Sequence, residues 1–199
     1  MASLFDDILL KGIRSGQVPA RTSAAREWYR QKAKEIGKLQ EREVMGNDKD
    51  RFRSRFYLGN MYFFTYDPKH KKTLPYYDGF PLIFPIDVKP GKIMGLNFHY
   101  LPLPLRAKLM DALYENVTNE KYDTSTKMKI SYNVLNSVSK YKEFRPTLKT
   151  YLTDHIRTRL FYVNPSEWDI ALFLNVARFE KKTQAQVWAD SKKIIKGTK

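Results

Sequence analysis

Three short runs rich in aromatic and branched residues stand in the middle of the chain: Met61–Tyr66, Phe80–Val88 and Ile93–Tyr100. Between them lie Asp67-Pro68-Lys69, Asp78-Gly79 and Lys89-Pro90-Gly91-Lys92, turn chemistries in which Pro fixes φ and Gly permits unusual φ. The pattern predicts a small antiparallel β unit. Pro81 and Pro85 cannot donate to a ladder, which makes the middle run irregular or an edge strand. Strands this short bury too little by themselves, so the rest of the chain is expected to pack around them. Asn60–Tyr100 holds ten of the 28 aromatic residues and is the expected core nucleus.

Helical periodicity marks the segments on either side. Ser3 is a candidate N-cap, with Asp6 and Asp7 in the first turn and an apolar stripe of Leu4, Phe5, Ile8, Leu9 and Ile13. Gly12 weakens that helix, which is as free to dock on another subunit as on its own core. Thr22 or Ser23 caps a longer helix expected to run to about Val44, burying Ala25, Trp28, Tyr29, Ala33, Ile36 and Leu39. Helices are also expected over Leu105–Asn116, Thr126–Ser139 and Phe179–Lys196, the last burying Ala185, Val187, Trp188 and Ile194. His155–Val163 has strand character. Trp168–Leu174 is open to two readings, a return strand or a helix capped by Asn164 with Pro165 at its first position. The strand is preferred because it completes five strands. The predicted fold is α+β: a small SH3-like antiparallel β-barrel unit of about five strands flanked by N-terminal, middle and C-terminal helices. Residues 1–58 form a helical arm and residues 59–199 a mixed core domain.

Charge adds a partner to this picture. Lys and Arg number 36 against 21 acids, a net charge of +15. Residues 1–58 and 155–199 each carry +5, residues 59–101 +2 and residues 102–154 +3, so the excess covers the whole body. Such a body suits nucleic acid or an acidic protein surface. Arg26, Arg30, Lys34, Lys38 and Arg42 recur at every fourth residue, either as a solvated helix face or as a track along phosphates. Lys49, Arg51, Arg53 and Arg55 alternate with other residues and share one side if the segment is extended. Lys69, Lys71 and Lys72 concentrate charge at a hairpin tip, and Arg157 and Arg159 lie in the later strand. These fourteen residues are the candidate DNA contacts.

Catalytic signatures are sparse. There is no Cys, hence no disulfide or thiolate metal site, which fits a reducing compartment, and no apolar run long enough to span a membrane. The start lacks the basic and apolar regions of a signal peptide. His70, His99 and His155 have no spaced ligand partners, and His99 reads as a core histidine. Asp78 with Asp87-Val88-Lys89 loosely matches a metal-dependent nuclease, but an extended strand separates the carboxylates by roughly 25–30 Å. No cofactor and no metal is expected.

YFFTYDPKHKKTLPYYDGFPLIFPID at residues 62–87, GLNFHYLPLPLRAKLMDALYE at 95–115 and RFEKKTQAQVW at 178–188 resemble a family of virion proteins in T-even-type tailed bacteriophages, the DNA end protector family. The resemblance covers about 61–188. It implies a non-catalytic structural protein of the virion, made in the host cytoplasm, that binds double-stranded DNA ends where head meets tail. Oligomerisation and contacts with phage neck, tail or baseplate proteins are implied too. A tail or baseplate component meeting acidic protein neighbours is the neighbouring assignment, and the nuclease a more distant one.

Overall fold

The structure, a computed structural model, describes residues 3–19, 22–46, 48–117, 132–133, 136–137 and 141–197. Its strands are Phe52–Arg53 (β1), Met61–Phe63 (β2), Tyr77–Asp78 (β3), Leu82–Lys89 (β4), Lys92–Asn97 (β5), Leu148–Leu152 (β6), Leu160–Val163 (β7) and Phe179–Glu180 (β8). Its helices are Leu4–Arg14 (α1), Ser23–Glu35 (α2), Glu41–Met45 (α3), Leu103–Val117 (α4), Trp168–Phe173 (α5) and Gln184–Lys196 (α6). The helix expected over Thr126–Ser139 falls outside the described residues except at 132–133 and 136–137, which are helical.

The mixed α+β class is present, but the closed barrel is not. Six strands form one antiparallel sheet in the order β1-β7-β2-β4-β5-β6, and β3 pairs separately with β8. The run from 148 to 163 is interrupted by a 3-10 turn at Thr153–His155, and between β6 and β7 the chain is held to the segment after β2 by the Tyr66–Ile156 bridge and by the bonds Asp67 N to His155 O and Arg157 N to Thr65 O. The expected return strand is a helix instead. Asn164 and Glu167 form a capping box with Pro165 at the first position, and every residue of α5 is buried. A segment buried on all sides carries no period, and the cap chemistry decides it.

The run containing Pro81 and Pro85 is an interior strand and not an edge, because β4 pairs with β2 on one side and β5 on the other. Its irregularity is a register shift between Pro85 and Asp87, beyond the last residue paired with β2. Strand period 2 divides the core. Met61, Phe63, Leu82, Phe84 and Leu96 pack under the helices, while Tyr62, Phe64 and Ile83 join Tyr66, Tyr151 and Leu160 on the opposite face.

Side-chain caps fix three helix starts. Ser3 and Asp6 make a capping box for α1, Thr22 Oγ1 accepts from Ala25 N at 3.0 Å, and Thr183 Oγ1 accepts from Gln186 N at 3.3 Å. The long helix expected to reach Val44 breaks after Glu35. Ile36 is extended, and Leu39 N donates to Asn175 O at 3.1 Å, a tertiary bond that a continuous helix could not make. Helix α6 starts at Gln184, five residues later than expected, since Phe179–Glu180 is consumed by pairing with β3. Val187 is buried there and Trp188 half-buried, but Ala185 and Ile194 are exposed.

Helix α1 docks on its own core through Phe5, Ile8 and Gly12. The glycine is where α1 meets α2: a Cβ at Gly12 would lie 2.1 Å from Tyr29 Oη. That hydroxyl donates to Gln17 O at 3.1 Å, so the ring has little room to retreat. Gly12→Ala is therefore expected to lower stability by about 1–3 kcal/mol through overpacking, despite the better helix propensity of alanine. Urea unfolding measures it, and an unshifted midpoint would mean that α1 does not dock this way in solution.

Candidate nucleic-acid interface

The candidate cations separate into two groups by burial. Arg30 and Arg51, expected on a phosphate track and a basic strip, are 5% and 8% exposed. Arg30 donates from Nε to Asp169 Oδ1 at 2.6 Å and from Nη2 to Asp111 Oδ1 at 2.7 Å, and lies over the Phe173 ring. Arg51 makes a bidentate pair with Glu167 and donates from Nε to Asp48 Oδ2 at 2.6 Å, its guanidinium lying against the stacked rings of Phe5 and Phe161. Burial works against both charges, but these carboxylates outweigh it and hold the guanidinium pKa values above their ordinary range. Both residues are internal ties, out of reach of a backbone phosphate. Arg26, 3.5 Å from Asp111, also faces inward, and Lys34 Nζ sits 5.1 Å from the Phe173 ring centroid. The fourfold row thus turns Arg26 toward α4, Arg30 toward α4 and α5, and the exposed Lys34 toward Phe173 of α5, and it ends at the break at Ile36.

A second set forms an outer strip. The 3-10 turn at Lys49–Arg51 prevents the four alternating cations from sharing one side, leaving Lys49 exposed elsewhere and Arg51 buried. Arg53 in β1 packs on the Tyr162 ring at 5.4 Å, and Arg159 packs on Phe52 at 5.8 Å while donating to Phe52 O at 3.3 Å. Arg157 reaches Asp67 Oδ2 at 3.4 Å, and Lys71 reaches Asp67 Oδ1 at 2.9 Å. Arg53 and Arg159 thus flank β1 from its two faces, and Arg157 leads on through Asp67 to the tip carrying Lys69, Lys71 and Lys72. Arg55 and Tyr57 extend the strip beyond β1, and Tyr57 is 55% exposed. Guanidiniums laid on rings leave donor edges outward, a geometry suited to phosphate oxygens.

Lys38 and Arg42, the exposed remainder of the fourfold row, line a cleft of about 870 Å³ with Arg178, Lys182 and the start of α6. Its charge is partly spent: Arg178 pairs with Glu41 and Glu180, and Lys182 with Asp190 at 2.5 Å. Arg178 and Lys182 are not among the fourteen cations that spacing and charge single out. Their only sequence signal is the RFEKK run, whose place beside α3 depends on the β3–β8 pairing.

The carboxylates of the nuclease reading are not brought together. Asp78 is buried, accepting from Asn97 Nδ2 at 2.9 Å, Phe80 N at 3.0 Å and Arg178 N at 3.2 Å, with His99 Nδ1 at 2.7 Å. Asp87 pairs with Met94, three residues or about 10 Å along β5 from Asn97, and its carboxylate meets Lys89 Nζ at 2.8 Å. His99 is the core histidine expected. Burial pushes its pKa down despite the pull of Asp78, so the ring stays neutral at pH 7. Burial opposes ionisation of Asp78, yet His99, Asn97 and the Phe80 N–H hold its carboxyl below the usual range. Arg106 is wholly buried on three carbonyls, Leu101, Leu172 and His99, with its pKa pushed down by burial.

A family model described as phage T4 terminal DNA protecting protein matches residues 5–196. No curated protein and no solved structure matches the chain.

Two outcomes follow from the burial pattern. Arg30→Met and Arg51→Met are each expected to cost about 3–5 kcal/mol, because each leaves a buried carboxylate short of its partner. Arg53→Met and Arg159→Met should stay within about 1 kcal/mol, as surface changes do. Equal losses in urea unfolding across all four would contradict the division into internal ties and outer strip. The second outcome concerns pH. His99 has a folded pKa below its unfolded value of about 6.5, so the unfolded chain binds the proton first and stability falls as pH drops below about 6.5. Asp78 adds a further loss below about 3.9, where the unfolded carboxyl protonates before the folded one. His99→Gln should flatten the decline between about pH 6.5 and 5; an unaltered slope in that window would assign it to other groups.

Proposed function

The chain belongs to the phage T4 terminal DNA protecting protein family, and from that premise we propose a non-catalytic virion protein that binds the ends of double-stranded DNA and shields them from exonuclease. The observation carrying this reading is the family match over nearly the whole chain, 5–196. The outer strip supplies its physical means. Arg53, Arg55, Arg157, Arg159, Lys69, Lys71 and Lys72 would displace counterions from backbone phosphates, a contact that does not depend on base sequence. Protection of ends of any sequence calls for that tolerance. The place where head meets tail is the expected location, with phage neck proteins as neighbours.

The test is binding to a linear duplex against a covalently closed circle of the same sequence, at two salt concentrations with Mg²⁺ present. Preference for the linear form, with the DNA left intact and resistant to added exonuclease, is the expected result. Equal affinity for both forms would favour a tail or baseplate component, and DNA cut in a manner lost on Asp87→Ala would favour the nuclease. Replacing Arg53, Arg55, Arg157 and Arg159 by Gln should reduce the slope of log K against log salt by about 0.9 for each side chain that touches duplex phosphate. An unchanged slope would remove the strip from the interface.

A further inference from the structure

A second concavity opens beside the basic tip. It has a volume of about 260 Å³ and lies between the 68–77 segment and β6, with Tyr66, Tyr76, Tyr100, Tyr151 and Lys149 among its walls and the buried Asp78, its oxygens taken up by Asn97, His99 and backbone N–H groups, at its inner end. That volume is below the usual range for whole drug-sized ligands, about 300–1,000 Å³, and suits one flat group. Tyr76 and Tyr100 face one another at 6.1 Å between centroids, 33° from parallel. Each ring is covered by an ammonium: Lys149 Nζ lies 4.0 Å from the Tyr100 centroid and Lys182 Nζ 4.7 Å from that of Tyr76.

Lys149 is the unusual member. Burial alone pushes its pKa down, to about 8, with no opposing pull from a carboxylate. Its one contact given by the structure is the Tyr100 ring, whereas Lys182 has Asp190. A half-buried ammonium stacked on an aromatic wall inside an open cavity calls for an anion. The walls call for a planar π system. A group that is flat at one end and anionic at the other is a nucleotide.

We propose that this pocket takes the terminal nucleotide of a DNA strand, laying its base against Tyr76, the half-buried ring of the pair, over a floor formed by the buried Tyr100, and setting its phosphate by Lys149. The inference rests on the end-protection reading and supplies what the strip lacks. Phosphate contacts along a duplex are equally available on a circle, but a nucleotide free to leave the stack exists only at an end, where unstacking costs least. The pocket mouth adjoins the outer strip through Asp67 and Pro68. Asp67 holds both Arg157 and Lys71, and Pro68 lines the cavity. Lys181 Nζ, donating to Lys72 O at 3.0 Å and Leu74 O at 2.7 Å, anchors the segment that forms the outer wall.

The experiment places 2-aminopurine at the terminal position of a duplex, or at an internal position, and titrates each with the full chain while a distal dye reports affinity. The expected result is a saturable intensity change at the terminal probe alone. Lys149→Gln and Tyr76→Ala should abolish that change and weaken linear-duplex binding about tenfold, with affinity for a closed circle unaltered. Thermal melting by circular dichroism establishes that each variant is folded; if Tyr76→Ala is not, Lys149→Gln decides. A silent terminal probe, or variants that retain the signal, would overturn the pocket while a preference for linear DNA kept end protection standing. Absence of any preference for linear over circular DNA would overturn end protection and the pocket with it.

Discussion

Two acids at the start of a buried helix determine how the N-terminal third lies on the sheet. Glu167 and Asp169 sit at the beginning of α5, which is buried along its whole length. A carboxylate in such a place is costly unless matched, and the matches come from far away in sequence. Arg51 reaches Glu167 from the turn before β1, and Arg30 reaches Asp169 from α2. Each guanidinium then recruits a second acid nearer the surface, Asp48 for Arg51 and Asp111 for Arg30. The net energy of a buried pair is small, but breaking one is expensive, so these pairs select an arrangement more than they add stability. The apolar contacts of Phe5, Tyr29 and Phe173 fill the space that those ties define.

Glu167 serves twice, because the carboxylate that binds Arg51 also accepts from Asn164 N at 3.2 Å to close the capping box of the turn into α5. The same acid thereby ends β7, starts the helix and fixes the approach of β1, whose Phe52 pairs with Phe161. Arg53 and Arg159 inherit their positions from that pairing. The outer strip and the internal ties are consequently joined at one turn: Arg51, in the 3-10 turn, and Phe52 face the core under the helices, and Arg53 faces the Tyr162 side of the sheet.

Much of the sheet was legible because its strands alternate. Tyr62 and Phe63 go to opposite faces as period 2 requires, and the turns at Asp67-Pro68 and Pro90-Gly91 fall where their chemistry placed them. Helix starts at Ser3 and Thr22 were legible through their caps. What escaped was long-range. An arginine that recurs every fourth residue has the pattern of a solvated face whether or not Asp169 waits for it 139 residues later. The break at Ile36 has a local hint in Gly37, but its cause is the carbonyl of Asn175. Trp168–Phe173 has no polar face, so helix and strand templates fit it equally. Lys149 and Tyr76 carry no motif at all, and only the fold sets them around one cavity.

The distribution of acids bears on where DNA can lie. Of the acids with described partners, Asp78, Glu167 and Asp169 are buried and serve inner groups, while Glu41, Glu180 and Asp190 temper the cleft beside α6. Along the outer strip Asp67 is shared by Arg157 and Lys71, and the exposed Asp50 and Asp154 lie beside it, so its seven cations still outnumber its acids. The cleft is larger, yet two of its four named cations, Arg178 and Lys182, are answered in place. In the proposed reading, uncompensated charge rather than volume marks the surface suited to a polyanion. A duplex laid along the strip would bring its terminus to the tip formed by 68–75, beside the tyrosine pocket. In that arrangement affinity comes from phosphates anywhere along the backbone, and recognition of an end comes from a single nucleotide.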